Sequence, residues 1–361
     1  MFKAVVGHSN DPDSQSAIDE VLQQCQNSLD GKLPQAGILL AAIDFDHPLI
    51  LAQIQEAFPG IELIGTTTNG EVSSIMGFQE DSLSLMIFCS DQVEIRAGLG
   101  RGVTKDLNLA VNESIATATA KLSSPAKLCL TLPESINVDG VSLIAALRQG
   151  LGETMPIVGG TSADNLTFRN TKQFFQSEVA SGAVPILLFA GNLQYAHGIA
   201  SGWQSVGRTS VITKAEDCII YEIDGKKALD FYQDGIGTSN TMGYINYPLA
   251  ISESGSEDYC LRSPASHDDE TGSMTFTSSI PEGATVWMAE ASRENVLNAT
   301  ALSLENALSN YPNQSPAAAF IISCAARRLL LGTQTQEEYE IFKTKLQIGR
   351  ASCRERVLMP V

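Results

Sequence analysis

Residues 61–71 read IELIGTTTNGE, and residues 156–165 read PIVGGTSADN. Each stretch is an apolar strand that runs into glycine, then into small hydroxyl residues, and then into a turn that carries an acid or an amide. The surroundings match as well, since an apolar strand and an amphipathic helix precede each stretch and a second apolar strand follows it. Repetition of this kind predicts an internal duplication of one supersecondary unit.

The repeated units are predicted to span residues 37–102 and 127–203. The second unit is expected to close with a glycine-studded strand at residues 198–202. The apolar segment at residues 317–325 (AAAFIISCA) reads as a further strand. With the helix that follows, it resembles the start of a third unit, whose own turn is expected after Gln347.

Strand and helix patterns mix along the whole chain, with hairpin-like pairs and crossover units in the same sequence. This mixture predicts an α/β (mixed α+β) fold, in which layered mixed sheets are flanked by helices. With 361 residues, the chain is long enough for two or three domains of roughly 100–200 residues each. We predict an internally duplicated N-terminal domain, residues 1–235, and a smaller C-terminal domain, residues 236–347.

Composition limits the partners and the location. The net charge of −18 argues against nucleic-acid binding, which requires a basic surface. No apolar run approaches the roughly 18 residues that span a bilayer, and the start of the chain lacks the pattern of a signal peptide. The seven cysteines form no C-x-x-C pair and are expected to be reduced thiols. We therefore predict a cytoplasmic protein that binds neither nucleic acid nor membranes.

The two glycine-hydroxyl turns are the best candidates for a binding site. Glycine allows a backbone to approach a ligand closely, and short hydroxyls both donate and accept hydrogen bonds. Such a turn at a strand end, with free backbone N–H groups, can hold a carboxylate. The ligand-binding residues predicted from the two turns are Thr66, Thr67, Thr68, Asn69, Glu71, Gly159, Gly160, Thr161, Ser162 and Asp164. The alternative is that the glycines only permit tight packing, and that Glu71 and Asp164 are turn or helix-cap residues.

Four residues of the C-terminal part complete the predicted site. Arg262 and Arg327 follow apolar segments, where an arginine can clamp a carboxylate through two hydrogen bonds. Ser323 and Cys324 lie at the end of the segment that precedes Arg327. The alternatives are surface ion pairs for the arginines, favoured most for Arg328, and core packing for Ser323 and Cys324.

Patterns that indicate catalysis or metal binding are weak. The four histidines form no H-E-x-x-H motif, and the chain has no Walker-type G-K-[ST] sequence. Residues 198–202 have the wrong spacing for a nucleophile elbow. The sequence therefore predicts no catalytic residue, no metal site and no required cofactor.

Several segments resemble the FIST family, in the same order along the chain. Residues 63–71 resemble the family's GCSTAGE segment, and residues 158–164 resemble its GGxAGD segment. Further similarity lies at residues 211–229, 247–249, 261–262 and 323–328. The resemblance extends to about residue 347, and it implies a sensory protein with a FIST N-terminal and a FIST C-terminal domain.

This resemblance implies an intracellular module of signal transduction that binds a small molecule, such as an amino acid or a related small acid. Because the sequence has no kinase, receiver or transmembrane segment, we expect a separate downstream signalling protein to receive the signal. One alternative function is that of a haem-binding nitric-oxide sensor, for which His197 is the residue to test. The other alternative is an enzyme that acts on a small metabolite.

The sequence departs from the family pattern in two places. Thr66 stands where the family's first motif usually has cysteine, so no role can rest on a thiol there. The family's last glycine-rich segment is also absent. Residues 348–357 (IGRASCRERV) resemble the translation of a sequencing adapter. We therefore expect residues 348–361 to be an artefactual tail on a truncated C-terminal domain.

Overall fold

The structure is a computed structural model that describes residues 2–236, 241–252, 259–312 and 316–346. The expected tail, residues 348–361, lies outside the described residues, as does the turn that was expected after Gln347. Strands and helices of both parts of the chain are defined within these ranges.

The first part of the chain folds as one unit, residues 2–90, which we call unit 1. Its elements are, in order, β1 (Phe2–Ser9), α1 (Ser14–Leu29), β2 (Ala36–Ala41), α2 (His47–Ala57), β3 (Glu62–Thr67), β4 (Glu71–Ser73), β5 (Gly77–Gln79) and β6 (Leu83–Ser90). Sheet 1 contains the strand order β1-β6-β2-β3. In this sheet β6 is antiparallel to β1 and β2, whereas β2 and β3 are parallel. The β4–β5 hairpin stays apart from it.

The next part, residues 93–191, repeats this arrangement, and we call it unit 2. Its elements are β7 (Val93–Arg101), α3 (Leu107–Thr119), β8 (Ala126–Thr131), α4 (Gly140–Leu151), β9 (Ile157–Gly159), β10 (Gln173–Phe175), β11 (Glu178–Ala180) and β12 (Ala183–Gly191). Sheet 2 has the order β7-β12-β8-β9, with the same strand directions as unit 1. The β10–β11 hairpin joins sheet 1 beside β3, so the two units share a sheet.

The units of the structure begin earlier than the sequence pattern suggested. The predicted boundaries, residues 37–102 and 127–203, assign β7 to the end of the first unit. However, β7 pairs with β12 of unit 2 along its whole length. Each unit therefore begins with the strand and helix that precede the predicted boundary. A hydrophobic pattern identifies a strand but does not tell which sheet the strand joins.

The remaining elements form a third sheet and a group of helices. They are β13 (Gln204–Glu216), β14 (Ile219–Ile223), β15 (Lys226–Lys227), α5 (Ala228–Ile236), α6 (Thr241–Tyr244), β16 (Leu249–Ser252), β17 (Tyr259–Arg262), β18 (Pro264–His267), β19 (Met274–Phe276), β20 (Thr285–Glu290), α7 (Arg293–Asn310), α8 (Ala325–Leu331), a 3-10 turn (Gly332–Gln334) and α9 (Thr335–Lys345). Sheet 3 runs β17-β16-β20-β13-β14-β19-β18, with β15 paired to β14. Helix α7 packs against both α8 and α9.

Units 1 and 2 stack through the inner faces of their sheets. Successive side chains of a strand point to opposite faces, so Ile38 and Leu40 of β2 enter the core between the sheets while Leu39 faces the helices. Helices α1 and α2 cover the outer face of sheet 1, and α3 and α4 cover that of sheet 2. This helix–sheet–sheet–helix layering confirms the predicted mixed α/β fold.

An aspartate caps the start of each of these four helices. The side chains of Asp13, Asp46, Asp106 and Asp139 accept hydrogen bonds from backbone N–H groups of the first turn, at 2.9, 3.1, 2.9 and 3.1 Å. Such caps satisfy donors that a helix start otherwise leaves unpaired. They explain why the helices begin directly after these residues.

Two strands predicted from the sequence do not form. The glycine-studded segment at residues 198–202 has no ladder hydrogen bonds among the described residues. The same holds for residues 317–324, and Ala325 already belongs to α8. Both segments have the composition of strands. A strand also needs a neighbour, and no strand that the structure describes pairs with either segment.

Candidate ligand-binding site

The first turn begins with two threonines that hold sheet 1 together. The Thr66 hydroxyl donates to the carbonyl oxygen of Lys172 at 3.0 Å, and the Thr67 hydroxyl accepts from the Lys172 N–H at 3.0 Å. Both threonines are fully buried. Gly65 is also structural, because a Cβ there would lie 2.2 Å from the carbonyl oxygen of Leu39. The polar groups of these two predicted site residues are therefore occupied by the protein itself.

Behind this turn lies a chain of buried polar side chains that the sequence did not reveal. Ser73 donates to Nδ1 of His8 (2.7 Å), and Nε2 of His8 donates to the Ser82 hydroxyl (3.0 Å). The hydroxyls of Ser82 and Thr68 both donate to the carboxylate of Glu71. When Glu71 is ionised, these directions follow because the Ser82 proton is used on Glu71, so His8 must supply the proton between itself and Ser82.

Burial controls the protonation of this chain. Desolvation raises the pKa of Glu71 to about 7, against the lowering effect of the hydrogen bonds from Ser82 and Thr68. Desolvation also lowers the pKa of His8 to about 4. At neutral pH the histidine is therefore neutral, while Glu71 is divided between its two forms. Glu71, predicted to contact a ligand, is fully buried and belongs to this internal chain.

The second turn is also held by internal hydrogen bonds. Ser162 donates from its N–H and from its hydroxyl to the carbonyl oxygen of Pro133, at 2.8 and 3.1 Å. The carboxylate of Asp164 accepts from the backbone N–H groups of residues 168–170. Burial acts to raise the pKa of Asp164, but these hydrogen bonds outweigh it and hold the pKa below its usual value. Asp164 is thus an internal turn residue.

The glycines of the second turn repeat the packing seen in the first. A Cβ at Gly159 would lie 1.9 Å from the carbonyl oxygen of Thr131 in β8, so the close approach of the two strands requires glycine there. Gly160 is half-buried, and Thr161 is exposed. The structure therefore favours the packing interpretation for Gly159 and leaves Thr161 open to solvent.

Glu134 is a buried carboxylate that the sequence patterns missed. It accepts from the N–H groups of Ser135, Ile136 and Gly182 at 2.8, 2.9 and 2.9 Å, and from the hydroxyl of Thr171. It ties the end of β8 to the β10–β11 hairpin and to the start of β12. Its position three residues after the apolar strand β8 was the available signal, because a carboxylate that is buried beside a strand end needs hydrogen-bond donors.

Arg327 is fully engaged inside the C-terminal part. Its guanidinium forms an ion pair of 2.7 Å with Glu338 and donates to the carbonyl oxygens of Ser201 (2.8 Å) and Val296 (3.0 Å). Ser323 donates to the same Glu338 carboxylate at 3.0 Å. Arg327 and Glu338 are 7% and 8% exposed. This cluster joins α8 to α7 and α9.

The other two predicted residues of the C-terminal part lie apart from the turns. Arg262, in β17, donates to the carbonyl oxygens of Leu261 (3.1 Å) and Ser279 (3.3 Å). Cys324 directly precedes α8 and is exposed. Within the described ranges, no hydrogen bond or ion pair joins either residue to the two glycine-hydroxyl turns.

A narrow cleft joins both turns to the C-terminal part. It is lined by Ala42, Ile43, Thr68, Asn69, Gly70, Glu80, Asp81, Asn165 and Arg328. Thr68 and Asn69 are predicted site residues, whereas Arg328 was expected to form a surface ion pair. As the structure stands, the cleft has no room for a water molecule.

Arg328 reaches from α8 into this cleft. It donates to the carbonyl oxygen of Asn69, forms an ion pair of 2.7 Å with Glu80, and lies over the ring of Phe78 at 6.0 Å from the centroid. The side-chain oxygen of Asn69 is buried and has no hydrogen-bond partner among the described residues. A buried acceptor without a partner costs free energy, so a donor supplied from outside would stabilise it.

Three other features bear on cofactors and membranes. His197, the residue named for haem binding, is exposed. Within the described ranges, no group of three or more His, Cys, Asp or Glu side chains could hold a metal ion. None of the helices that the structure describes has the length and apolar character needed to cross a membrane.

The fold is that of a duplicated α/β part followed by a C-terminal part, with residues of both lining a narrow cleft. Residues 35–226 match the FIST N domain, and residues 228–351 match the FIST C domain. The protein belongs to the FIST family, which confirms the resemblance seen in the sequence. FIST domains have sensory roles in signal transduction.

Two further similarities are more limited. The chain is 30% identical over 98 residues to the uncharacterized protein MJ1623 of Methanocaldococcus jannaschii, which covers 27% of this chain. The match spans 18% of the length of that relative. The crystal structure of cyanuric acid hydrolase from A. caulinodans aligns with 53% of this chain and 72% of its own, at 9% identity and a TM-score of 0.30.

Proposed function

We propose that the protein is a sensory module that binds a free amino acid in the cleft between the first turn and α8. The observation that carries this proposal is the pair of groups at Asn69. Its side-chain oxygen is a buried acceptor without a partner in the described residues, and its carbonyl oxygen lies against the Arg328 guanidinium. An amino acid carries an ammonium group that can donate to the side-chain oxygen of Asn69, and a carboxylate that can accept from the Arg328 guanidinium.

Arg328 would bind the carboxylate of the ligand. Its ion pair with Glu80 is exchangeable, because the Glu80 side chain is 57% exposed and such pairs contribute little to stability. A ligand carboxylate that takes the place of Glu80 would keep the guanidinium paired through two N–H groups. The exchange therefore keeps Arg328 paired and releases the Glu80 carboxylate, whose side chain is 57% exposed, to solvent.

The other end of the cleft favours a ligand with a positive group. Glu80 and Asp81 supply two carboxylates and Arg328 supplies one guanidinium, which leaves one net negative charge. A simple acid would add to this negative charge, whereas the ammonium group of an amino acid offsets it. The same ammonium can donate to the unpaired oxygen of Asn69. These charges favour a zwitterionic amino acid over a simple carboxylic acid.

Binding that displaces α8 would also move the other C-terminal helices. The cleft has no room for a water molecule, so a ligand must displace either the first turn or α8. Helix α8 is tied to α7 and α9 through Arg327, so a displacement of α8 is passed to both. A ligand that binds the open arrangement better shifts the protein toward it. We propose that a downstream signalling protein responds to this shift.

Thermal unfolding with single amino acids and with simple carboxylic acids tests this function. A bound amino acid at about 100 times its dissociation constant should stabilise the fold by roughly 2.7 kcal/mol. Arg328→Met should abolish this stabilisation. Arg262→Met, which removes an arginine outside the cleft, should retain it. The proposal fails if no amino acid stabilises the unmodified protein, or if the Arg328→Met protein binds as well as the unmodified one.

A further inference from the structure

One hydroxyl connects the cleft with the buried polar chain of unit 1. Thr68 lines the cleft, and its hydroxyl is hydrogen-bonded to Oε1 of Glu71, whose carboxylate is fully buried. The other carboxylate oxygen, Oε2, is hydrogen-bonded to Ser82, which leads on to His8 and Ser73. A change of charge on Glu71 must therefore be accommodated through one of two hydroxyls, that of Thr68 or that of Ser82.

The hydrogen bonds on the Ser82 side have fixed directions. The Ser73 oxygen accepts from the backbone N–H groups of residues 75 and 76, each at 3.2 Å, so both of its acceptor positions are used and its proton goes to Nδ1 of His8. Because burial lowers the pKa of His8 to about 4, its ring carries one proton at neutral pH, on Nε2. That proton is donated to Ser82, and Ser82 donates to Glu71. Reversing this chain would bring a third donor to the Ser73 oxygen.

A proton on Glu71 therefore belongs on Oε1, between Glu71 and Thr68. When Glu71 is ionised, Thr68 gives its own proton to Oε1, and only the acceptor lone pairs of the Thr68 oxygen remain for a ligand. When Glu71 is protonated, Oε1 donates to the Thr68 oxygen, and the Thr68 proton is free to turn toward the cleft. The charge of Glu71 thus decides whether Thr68 offers the cleft an acceptor or a donor.

Both forms of Glu71 are populated near neutral pH. Desolvation raises its pKa to about 7, and the charge of Asp81, which lines the cleft, acts in the same direction. Glu80 and Arg328 also line the cleft, where they form an ion pair of 2.7 Å with each other. From β1, His8 faces the carboxylate through one hydroxyl and is neutral at this pH, since its pKa is lowered to about 4. A charged group of a ligand beside Thr68 would therefore shift Glu71 between its two forms.

We propose that Glu71 determines which ligand group the cleft accepts, because its ionised form makes Thr68 an acceptor for an ammonium group and its protonated form makes Thr68 a donor to a carboxylate. This proposal rests on the proposed function and extends it. The ammonium group of an amino acid would donate to the Thr68 oxygen and to the side-chain oxygen of the neighbouring Asn69. Its positive charge favours the ionised carboxylate, so a proton leaves Oε1 of Glu71 for the solvent and Thr68 turns its own proton back to Oε1.

Isothermal titration calorimetry in buffers of different ionisation enthalpy counts the protons that binding releases. The probes are propionate, which lacks an ammonium group, and the amino acid with an uncharged side chain that stabilises the protein most. At about pH 6.5 the amino acid should release roughly half a proton per molecule bound, and its affinity should rise roughly 5-fold from about pH 6 to about pH 8. Propionate should bind more weakly than the amino acid and should not release protons, because a carboxylate favours protonated Glu71.

Three variants assign the proton to its residue. Glu71→Gln keeps the shape of the side chain, and its amide N–H can donate to Thr68 as a protonated carboxyl group does. It should abolish proton release and raise the affinity for propionate, relative to the amino acid, by roughly 10-fold. Thr68→Val removes the shared hydroxyl but leaves Glu71 in place, and it should also abolish proton release. Asp81→Asn is the matched control, because it removes another carboxylate of the cleft and should retain proton release.

The outcomes separate this proposal from the proposed function. If no amino acid binds the unmodified protein, the proposed function fails and this proposal fails with it. If an amino acid binds without releasing protons, or if release persists in Glu71→Gln or Thr68→Val, the proposed function stands and this proposal is overturned. Release that disappears in Asp81→Asn but not in Glu71→Gln would assign the proton to Asp81. If propionate gains no affinity in Glu71→Gln, Glu71 does not determine which ligand group the cleft accepts.

Discussion

Replacing Arg327 with methionine should lower the free energy of unfolding by about 3–5 kcal/mol, because it leaves the Glu338 carboxylate buried without its counter-charge. The change also leaves the carbonyl oxygens of Ser201 and Val296 without the donors that now satisfy them. Urea-induced unfolding followed by circular dichroism measures this loss. The expected loss is large because the Arg327–Glu338 cluster is the main polar tie between α8, α7 and α9.

The adjacent arginine provides the control. Arg328→Met removes a partly exposed ion pair with Glu80 and one donor to the Asn69 carbonyl oxygen, and should cost about 1–2 kcal/mol. The double change Arg327→Met with Glu338→Leu should recover part of the stability lost in Arg327→Met, because it removes the unpaired charge as well. Equal losses for Arg327→Met and Arg328→Met, or no recovery in the double variant, would contradict the buried role of Arg327.

The buried chain that links His8 to Glu71 should give the protein two opposite pH dependences of stability. The pKa of Glu71 is raised from 4.5 to about 7, so the folded protein keeps a proton that the unfolded chain releases. The stability that Glu71 contributes is therefore complete below pH 4.5 and is lost as the pH rises to about 7. The free energy of unfolding of the unmodified protein, relative to that of Glu71→Gln, should therefore fall by roughly 3 kcal/mol across this pH range.

His8 should show the reverse slope. Its pKa is lowered from 6.5 to about 4, so the unfolded chain binds a proton that the folded protein does not. The stability that it contributes is present above pH 6.5 and is lost as the pH falls to about 4. The free energy of unfolding of the unmodified protein, relative to that of His8→Gln, should therefore rise by roughly 3 kcal/mol from pH 4 to 6.5.

Urea unfolding at a series of pH values measures both slopes. Differences between the unmodified protein and each variant cancel the titration of groups that the variants share, such as Asp164. Slopes of the same sign in the two variants, or no slope in either, would show that burial does not set these two pKa values. If only one variant shows a slope, burial does not set the pKa of the residue that is replaced in the other variant.

The fold was predictable from the sequence where local pattern and packing agree. The strand, glycine and hydroxyl order of the two turns correctly indicated a duplicated α/β arrangement, because Gly65 and Gly159 are both required by close strand packing. The prediction of a strand at residues 317–325 was wrong for the described structure, where residues 317–324 form no ladder and Ala325 begins α8. An apolar segment indicates that a strand can form there, but the hydrogen bonds of the strand depend on a neighbouring strand that is distant in sequence.

The site was less predictable, because it depends on the direction in which each side chain points and on hydrogen-bond partners that are distant in the sequence. Arg327 and Arg328 are adjacent, but successive residues of a helix point about 100° apart, so one side chain enters the core and the other enters the cleft. Thr66 and Thr67 looked available for a ligand, yet both hydrogen-bond to Lys172, more than a hundred residues away. Thr68 and Asn69 do line the cleft. A sequence pattern identifies such groups without telling which of them the protein itself occupies.

The shared hairpin between units has a consequence for synthesis on the ribosome. Unit 1 has all of its own strands once residue 90 has emerged, but β3 gains its outer partner only when β10 follows. While residues 91–172 are being added, the nascent chain carries an uncovered strand that can pair with another polypeptide. Slow elongation over this stretch should therefore promote co-translational aggregation, and chaperones that cover strand edges should matter most during that interval.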